Sequence, residues 1–171
     1  MSELTDFRRA KDHFMLHDPD SPLTEEQRQR GAGLSYFGES EALRLVLEPK
    51  LRQTEEPVEV QVNTGEVDTF LRWGTVSFDV DGEPAELTIF RGGEDGDLFL
   101  PLADATSGTE TYGAGRYLDV ERRPDGKILV DFNYAYNPYC AYNDRWSCPL
   151  TPPENRVKVA IRAGEKSFPR P

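Results

Sequence analysis

The sequence predicts a mainly β protein, an antiparallel β-barrel or two-sheet sandwich of about eight or nine strands with one or two N-terminal helices packed on it. Three observations predict it. Apolar residues change from helical spacing to strict alternation near Leu43. Turn dipeptides, Asp81-Gly82 and Asp125-Gly126, punctuate the alternating runs. No helix-length amphipathic run separates one strand from the next, so nothing supplies the crossovers of a parallel sheet.

The elements follow in order. Leu4, Phe7, Phe14 and Met15 fall on one helix face, and Pro19 ends that helix by disfavouring α geometry at Asp18. A second helix starts either at Ser21 with Pro22 in the first turn, or at Thr24 with Gln27 completing a capping box. It runs to about Arg30 and stops at Gly31-Ala32-Gly33. Strands are expected at Leu43–Leu47, Val58–Val62, Thr69–Val80, Ala85–Phe90, Leu98–Leu100, Tyr117–Val120, Ile128–Asn133 and Val157–Ile161, with a Gly92–Asp97 loop between two of them. The chain is thus read as a helical segment over 1–42 and an antiparallel β domain over 43–171, forming one compact unit.

Composition narrows the function. The 171 residues carry 31 Asp and Glu against 20 Lys and Arg, a net charge of -11. That disfavours nucleic acid and anionic membranes, whose binding rests on basic surfaces. Arg outnumbers Lys 15 to 5, and excess carboxylate with scarce Lys fits either a halophilic protein or an ordinary acidic cytosolic one. Residues 1–6 show neither a basic nor an apolar signal region, and no run reaches the ~20 apolar residues of a membrane helix. A cytoplasmic location and no membrane partner are expected; oligomeric state stays open. His13 and His17 are spaced for one helix face, but no further ligands lie nearby. Neither a metal nor a cofactor is expected.

One segment departs from scaffold composition. Six of the seven tyrosines, both cysteines and one of two tryptophans lie between Asp104 and Asn155, and residues 138–153 show no regular pattern. A loop this long in a compact domain is usually functional or disordered, and its aromatics argue against disorder. The motifs are Ser21-Pro22-Leu23, Thr106-Ser107-Gly108, Thr111-Tyr112-Gly113-Ala114-Gly115-Arg116-Tyr117 and Asp131-Phe132-Asn133, followed by Asn137-Pro138-Tyr139-Cys140-Ala141-Tyr142, Trp146-Ser147-Cys148-Pro149 and Glu154-Asn155-Arg156. On these the chain resembles, over nearly its whole length, the prokaryotic family known as domain of unknown function 1684. The resemblance implies a shared site but no activity. It also implies relatives that carry export or lipoprotein signals, which this N-terminus does not show.

The candidate ligand-binding residues are Tyr112, Arg116, Tyr117, Asp131, Asn133, Asn137, Tyr142, Trp146, Glu154 and Asn155. Arg116 follows two glycines and suits either an anion clamp or a buried strut paired with Asp131 or Glu154. Asp131 and Asn133, two apart on an expected strand, share a face. Cys140 and Cys148 are expected to be poorly accessible and close together, as packed thiols first and a disulfide second. Zinc would need further ligands, and a nucleophilic Cys would need a distant His. The leading function is binding of a small polar or anionic ligand in a Tyr/Trp/Arg-lined pocket closed by the 138–153 loop. The alternatives are a hydrolase using Asp131 or Glu154 as general base, and a structural or interaction protein whose polar cluster only fastens the loop.

Overall fold

The computed structural model describes residues 2–92 and 96–170; the middle of the expected Gly92–Asp97 loop, residues 93–95, lies outside them. Helix α1 (Glu3–His17) is capped by Ser2, whose hydroxyl accepts the Thr5 N–H at 3.2 Å. Of its predicted apolar face, Leu4 and Met15 are buried, whereas Phe7 stays exposed and meets the Tyr134 ring edge-on. Helix α2 (Glu25–Gln29) starts from Thr24 with a full Thr24–Gln27 capping box. Ser21 does not cap it; its hydroxyl donates to the Met15 carbonyl at 2.6 Å and fastens the connection.

Strands β1 (Arg44–Leu47), β2 (Lys50–Gln61), β3 (Val67–Val80), β4 (Glu83–Gly92), β5 (Asp97–Leu102), β6 (Arg116–Asp119), β7 (Glu121–Arg122) and β8 (Ile128–Asp131) form two antiparallel sheets. Their orders are β1-β8-β7 and β2-β3-β4-β5-β6, a two-sheet sandwich with no closed barrel among the described residues. Asp81 and Gly82 turn β3 into β4 with φ of 50° and 82°, the positive values that a type I′ hairpin needs. Val76, Leu87, Ile89, Leu100 and Leu118 from the larger sheet pack against Ile128, Val130 and Phe132. A second cluster, Met15, Leu23, Tyr142 and Phe168, glues α1 to the long loop and the C-terminal segment.

Two expected strands differ from the structure. The strand at Ile128 ends at Asp131, and residues 132–134 form a 3₁₀ turn. Asn133 is therefore not two places along a strand from Asp131; instead the Asp131 carboxylate accepts its backbone N–H at 3.1 Å and its amide at 2.8 Å. Residues 157–161 alternate correctly but form no strand. Val157 and Val159 make backbone bonds to Ala103 and Ala105. Beyond them, side chains replace the ladder: Asp104 accepts the Ile161 N–H at 2.6 Å and Arg116 donates to the Ile161 carbonyl at 2.9 Å. The short strand β7 had no signal in the pattern. No described helix is long and apolar enough to cross a membrane.

Candidate functional site

The sandwich leaves two problems for residues 103–170 to solve: the open edges of the five-stranded sheet, and the point where β4 and β5 part. The first is met by residues 136–150. Tyr136 exchanges backbone bonds with Tyr117 of edge strand β6, and Leu150 donates to Gln61 of the opposite edge strand β2. The segment between them spans the two edges and covers strand backbone that would otherwise pair with another chain. The second problem is met by Asn155. The β4–β5 ladder ends at Phe90 and Phe99. Beyond it the fully buried Asn155 amide accepts the Thr88 N–H and donates to the Thr88 and Pro101 carbonyls, at 2.7–2.8 Å.

The N-terminal turn anchors the loop from below. The Pro22 carbonyl accepts from Asn143, Arg145 and the Trp146 indole at 2.9–3.0 Å, and Gln27 donates to the Tyr142 carbonyl at 2.7 Å. Tyr142 is buried and its hydroxyl donates to Glu165 at 2.7 Å. Burial, then the Glu165 charge, pushes that phenol well above its ordinary range. Glu165 itself is buried and paired with Lys11 at 2.5 Å. Neither Glu165 nor Pro22 carried a signal of this role in sequence, because Glu165 pairs with Lys11, 154 residues away, and Pro22 with partners 121–124 residues away.

Under the loop lies a cavity of about 260 Å³, lined by Tyr117, Tyr136, Asn137, Pro138, Tyr139, Trp146, Ser147, Cys148 and Pro149. Its rings stack at edges, Tyr139 on Trp146 and Tyr117 on Tyr136. The Tyr117 hydroxyl is held by the Pro149 carbonyl. Asn137 is buried; its amide N–H donates to Lys166, while its Oδ1 has no partner. Cys148 and Cys140 are both buried and unbridged, packed with Tyr117 and neighbouring rings. The Cys148 sulfur accepts the Cys140 backbone N–H at 3.3 Å, and Tyr112 donates to the Cys140 sulfur at 3.7 Å. Burial and that bond raise the Tyr112 phenol to about 12.

Arg116 lies outside this cavity. It is 1% exposed and its guanidinium donates to the carbonyls of Ala163 at 2.5 Å, Ile161 at 2.9 Å and Glu165 at 3.2 Å. Its charged partner is Asp104 at 3.8 Å, not Asp131 or Glu154 as the sequence suggested. Burial works against its charge, and Asp104 and Glu165 support it. Asp104 is itself held by the Thr106 hydroxyl at 2.8 Å and the Ile161 N–H, so the Thr106-Ser107-Gly108 turn serves this strut. Gly115 has φ of 104°, and a Cβ there would sit 2.5 Å from the Leu102 carbonyl, so glycine is required beside Arg116.

The other candidates are spread elsewhere. Asp131 reaches Arg44 at 3.8 Å and borders a larger groove of about 590 Å³ beneath the start of α1, with Glu3, Glu39, Asp119 and Tyr134. Asn133 holds the Ser40 backbone at 2.8 and 2.9 Å. Glu154 makes a forked ion pair with Arg72 at 2.8 Å and accepts the Thr88 hydroxyl at 2.9 Å. Burial acts to raise its carboxyl, but Arg72 and Thr88 outweigh it and hold the group below the usual range. His13 and His17 lie ring to ring on α1, and no group of three metal-ligating side chains occurs among the described residues. The structure therefore brings Tyr117, Asn137, Trp146 and Cys148 to one cavity, with Tyr112 behind them, and places Arg116 with Tyr142, Asp131 with Asn133, and Glu154 with Asn155 in three hydrogen-bond networks that do not line it.

Among curated proteins nothing matches the chain. It is similar to an uncharacterised protein of Haloarcula marismortui, whose solution NMR structure shares 37% identity over 96% of this chain and 92% of that one, with a TM-score of 0.71. Residues 30–166 match the family described as "Protein of unknown function (DUF1684)". That span runs from the end of α2 to Lys166 and holds the loop, the Arg116–Asp104 strut and the Asn155 wedge, so the chain belongs to the DUF1684 family.

Proposed function

We propose that this β protein binds a small, flat, polar molecule in the aromatic cavity under the 138–153 loop. One observation carries the reading: the loop folds the rings of Tyr117, Tyr136, Tyr139 and Trp146 around one cavity, which the buried polar side chain of Asn137 also borders. The ring faces of Tyr136, Tyr139 and Trp146 supply apolar contact. A volume of about 260 Å³ sits at the small end of ligand pockets and suits a single ring. An anionic ligand is less well matched, because the Arg116 guanidinium is spent on backbone carbonyls. The hydrolase alternative gains nothing from Glu154, whose oxygens are engaged and whose pKa moves away from neutrality. Residues 1–42 act in this reading as an integral brace for the loop rather than a separate unit.

The test is titration of the full chain with phenol and benzamide, followed by the indole N–H resonance of Trp146, together with native mass spectrometry of protein purified from its host. The expected result is a saturable shift that Ser147→Trp, at the mouth of the cavity, removes. An unmoved Trp146 resonance at millimolar probe, with only bare chain in the mass spectrum, overturns the proposal.

A further inference from the structure

The two cysteines sit in unequal surroundings. Cys148 lines the cavity, whereas Cys140 is 2% exposed and lies behind it against Tyr112. Their donors differ too: the Cys148 sulfur accepts the Cys140 backbone N–H at 3.3 Å, and the Cys140 sulfur accepts the Tyr112 hydroxyl at 3.7 Å. Hydrogen bonds to the charged form favour it, so the Cys148 thiolate is stabilised without a histidine. The neighbouring Cys140 thiol lowers Cys148 to about 7 against the opposing effect of burial, and backbone donors add to the lowering. Cys140 is pushed up by the same pairing and by burial. The titratable groups facing the thiols are Tyr112, Tyr117 and Tyr136, all raised by burial and therefore neutral near pH 7.

The geometry points to a dithiol redox site in which Cys148 attacks a low-molecular-weight disulfide seated in the cavity and Cys140 resolves the product. This rests on the cavity being a ligand site, as proposed above. The Cys148 thiolate forms a bond to one sulfur of the substrate R–S–S–R, whose S–S bond breaks and releases RS⁻. Cys140 then loses its proton and attacks the Cys148 sulfur of the mixed disulfide. The second RS⁻ leaves and takes up that proton. The protein ends with a Cys140–Cys148 disulfide, oxidised by two electrons, and the substrate ends as two reduced thiols. Substrate class follows from the lining. A hydroperoxide or an ester needs a proton donor for its oxygen leaving group, but a thiolate leaves unprotonated. The cavity offers Tyr, Asn, Pro, Trp and Ser and no Lys, Arg, His, Asp or Glu. Its ring edges also suit sulfur, which packs favourably against aromatics. Resolution needs little motion, because the Cys148 sulfur already lies 3.3 Å from the Cys140 backbone nitrogen and both thiols pack in one cluster.

The experiment uses 4,4′-dithiodipyridine, of which one pyridyl ring matches the single-ring cavity, as the disulfide on the reduced full chain, read by thiopyridone release and intact mass. Wild type is expected to release two equivalents and finish about 2 Da lighter, with no retained pyridyl group. Cys140→Ser is expected to release one equivalent and keep the mixed-disulfide adduct on Cys148. Cys148→Ser is expected to react about 100-fold more slowly. The wild-type rate is expected to reach half its plateau near pH 7, rather than near the ordinary thiol value of about 8.5. A stable pyridyl adduct on wild type, a first adduct on Cys140, or a Cys148→Ser variant as fast as wild type each overturns the proposal. Phenol titration of the reduced protein separates the two readings. Phenol binding with inert thiols sinks the redox role alone. Ring closure without phenol binding leaves the thiol chemistry standing and sinks the non-covalent ligand site.

Discussion

Replacing Arg116 with alanine removes a guanidinium that satisfies three carbonyls of the C-terminal segment and faces the buried Asp104. Asp104 keeps its Thr106 and Ile161 donors, but its charge loses the one cation paired with it among the described residues. Breaking one partner out of a buried pair costs about 3–5 kcal/mol. For a chain of this size that corresponds to a fall in Tm of roughly 6–20 °C. Residues 161–165 are expected to loosen first, because Arg116 stands in for their missing strand partner. The assay is equilibrium urea unfolding followed by tryptophan fluorescence, with amide exchange read at residues 161–166. Arg116→Lys keeps the charge but cannot span three carbonyls, so it is expected to recover less than half of the loss. Arg116→Met combined with Asp104→Asn is expected to be more stable than Arg116→Ala alone, because no unpaired charge remains buried. A loss below about 1 kcal/mol in Arg116→Ala, within the range of ordinary surface changes, would refute the strut.

Asn155→Ala leaves the Thr88 N–H and the Thr88 and Pro101 carbonyls without partners, and is expected to cost about 3 kcal/mol or more; an unchanged urea midpoint refutes the wedge. Glu154 has a folded pKa below its unfolded value, so its contribution is full above the unfolded value near 4.5 and is lost as pH falls through the folded one. The stability gap between wild type and Glu154→Gln, under about 1 kcal/mol because solvent screens the pair, is expected to close on acidification, and a gap that widens counts against the Arg72 pairing. With a net charge of -11 the folded chain repels itself, so Tm is expected to rise with KCl, most steeply below about 0.5 M; a flat or falling Tm contradicts this.

Local chemistry was legible from the residues alone. The Asp81-Gly82 hairpin, the Thr24–Gln27 box and the alternating cores of β1, β3, β4 and β8 rest on φ preferences, capping and side-chain period, which a short window carries. The cluster of aromatics and cysteines likewise marked the 138–153 loop, and the two thiols do lie together. Partner choice was not legible. Residues 157–161 have a strand's alternation, yet their bonding is taken over by Asp104 and Arg116, which compete for the backbone from 45 residues or more away. Arg116 itself reads equally as clamp or strut until the tertiary structure surrounds it with carbonyls. The Pro22 carbonyl and the Glu165 carboxylate acquire meaning only once the loop is folded over the sheet edges. A hydrogen bond depends on distance and direction in space, and periodicity along a chain encodes neither.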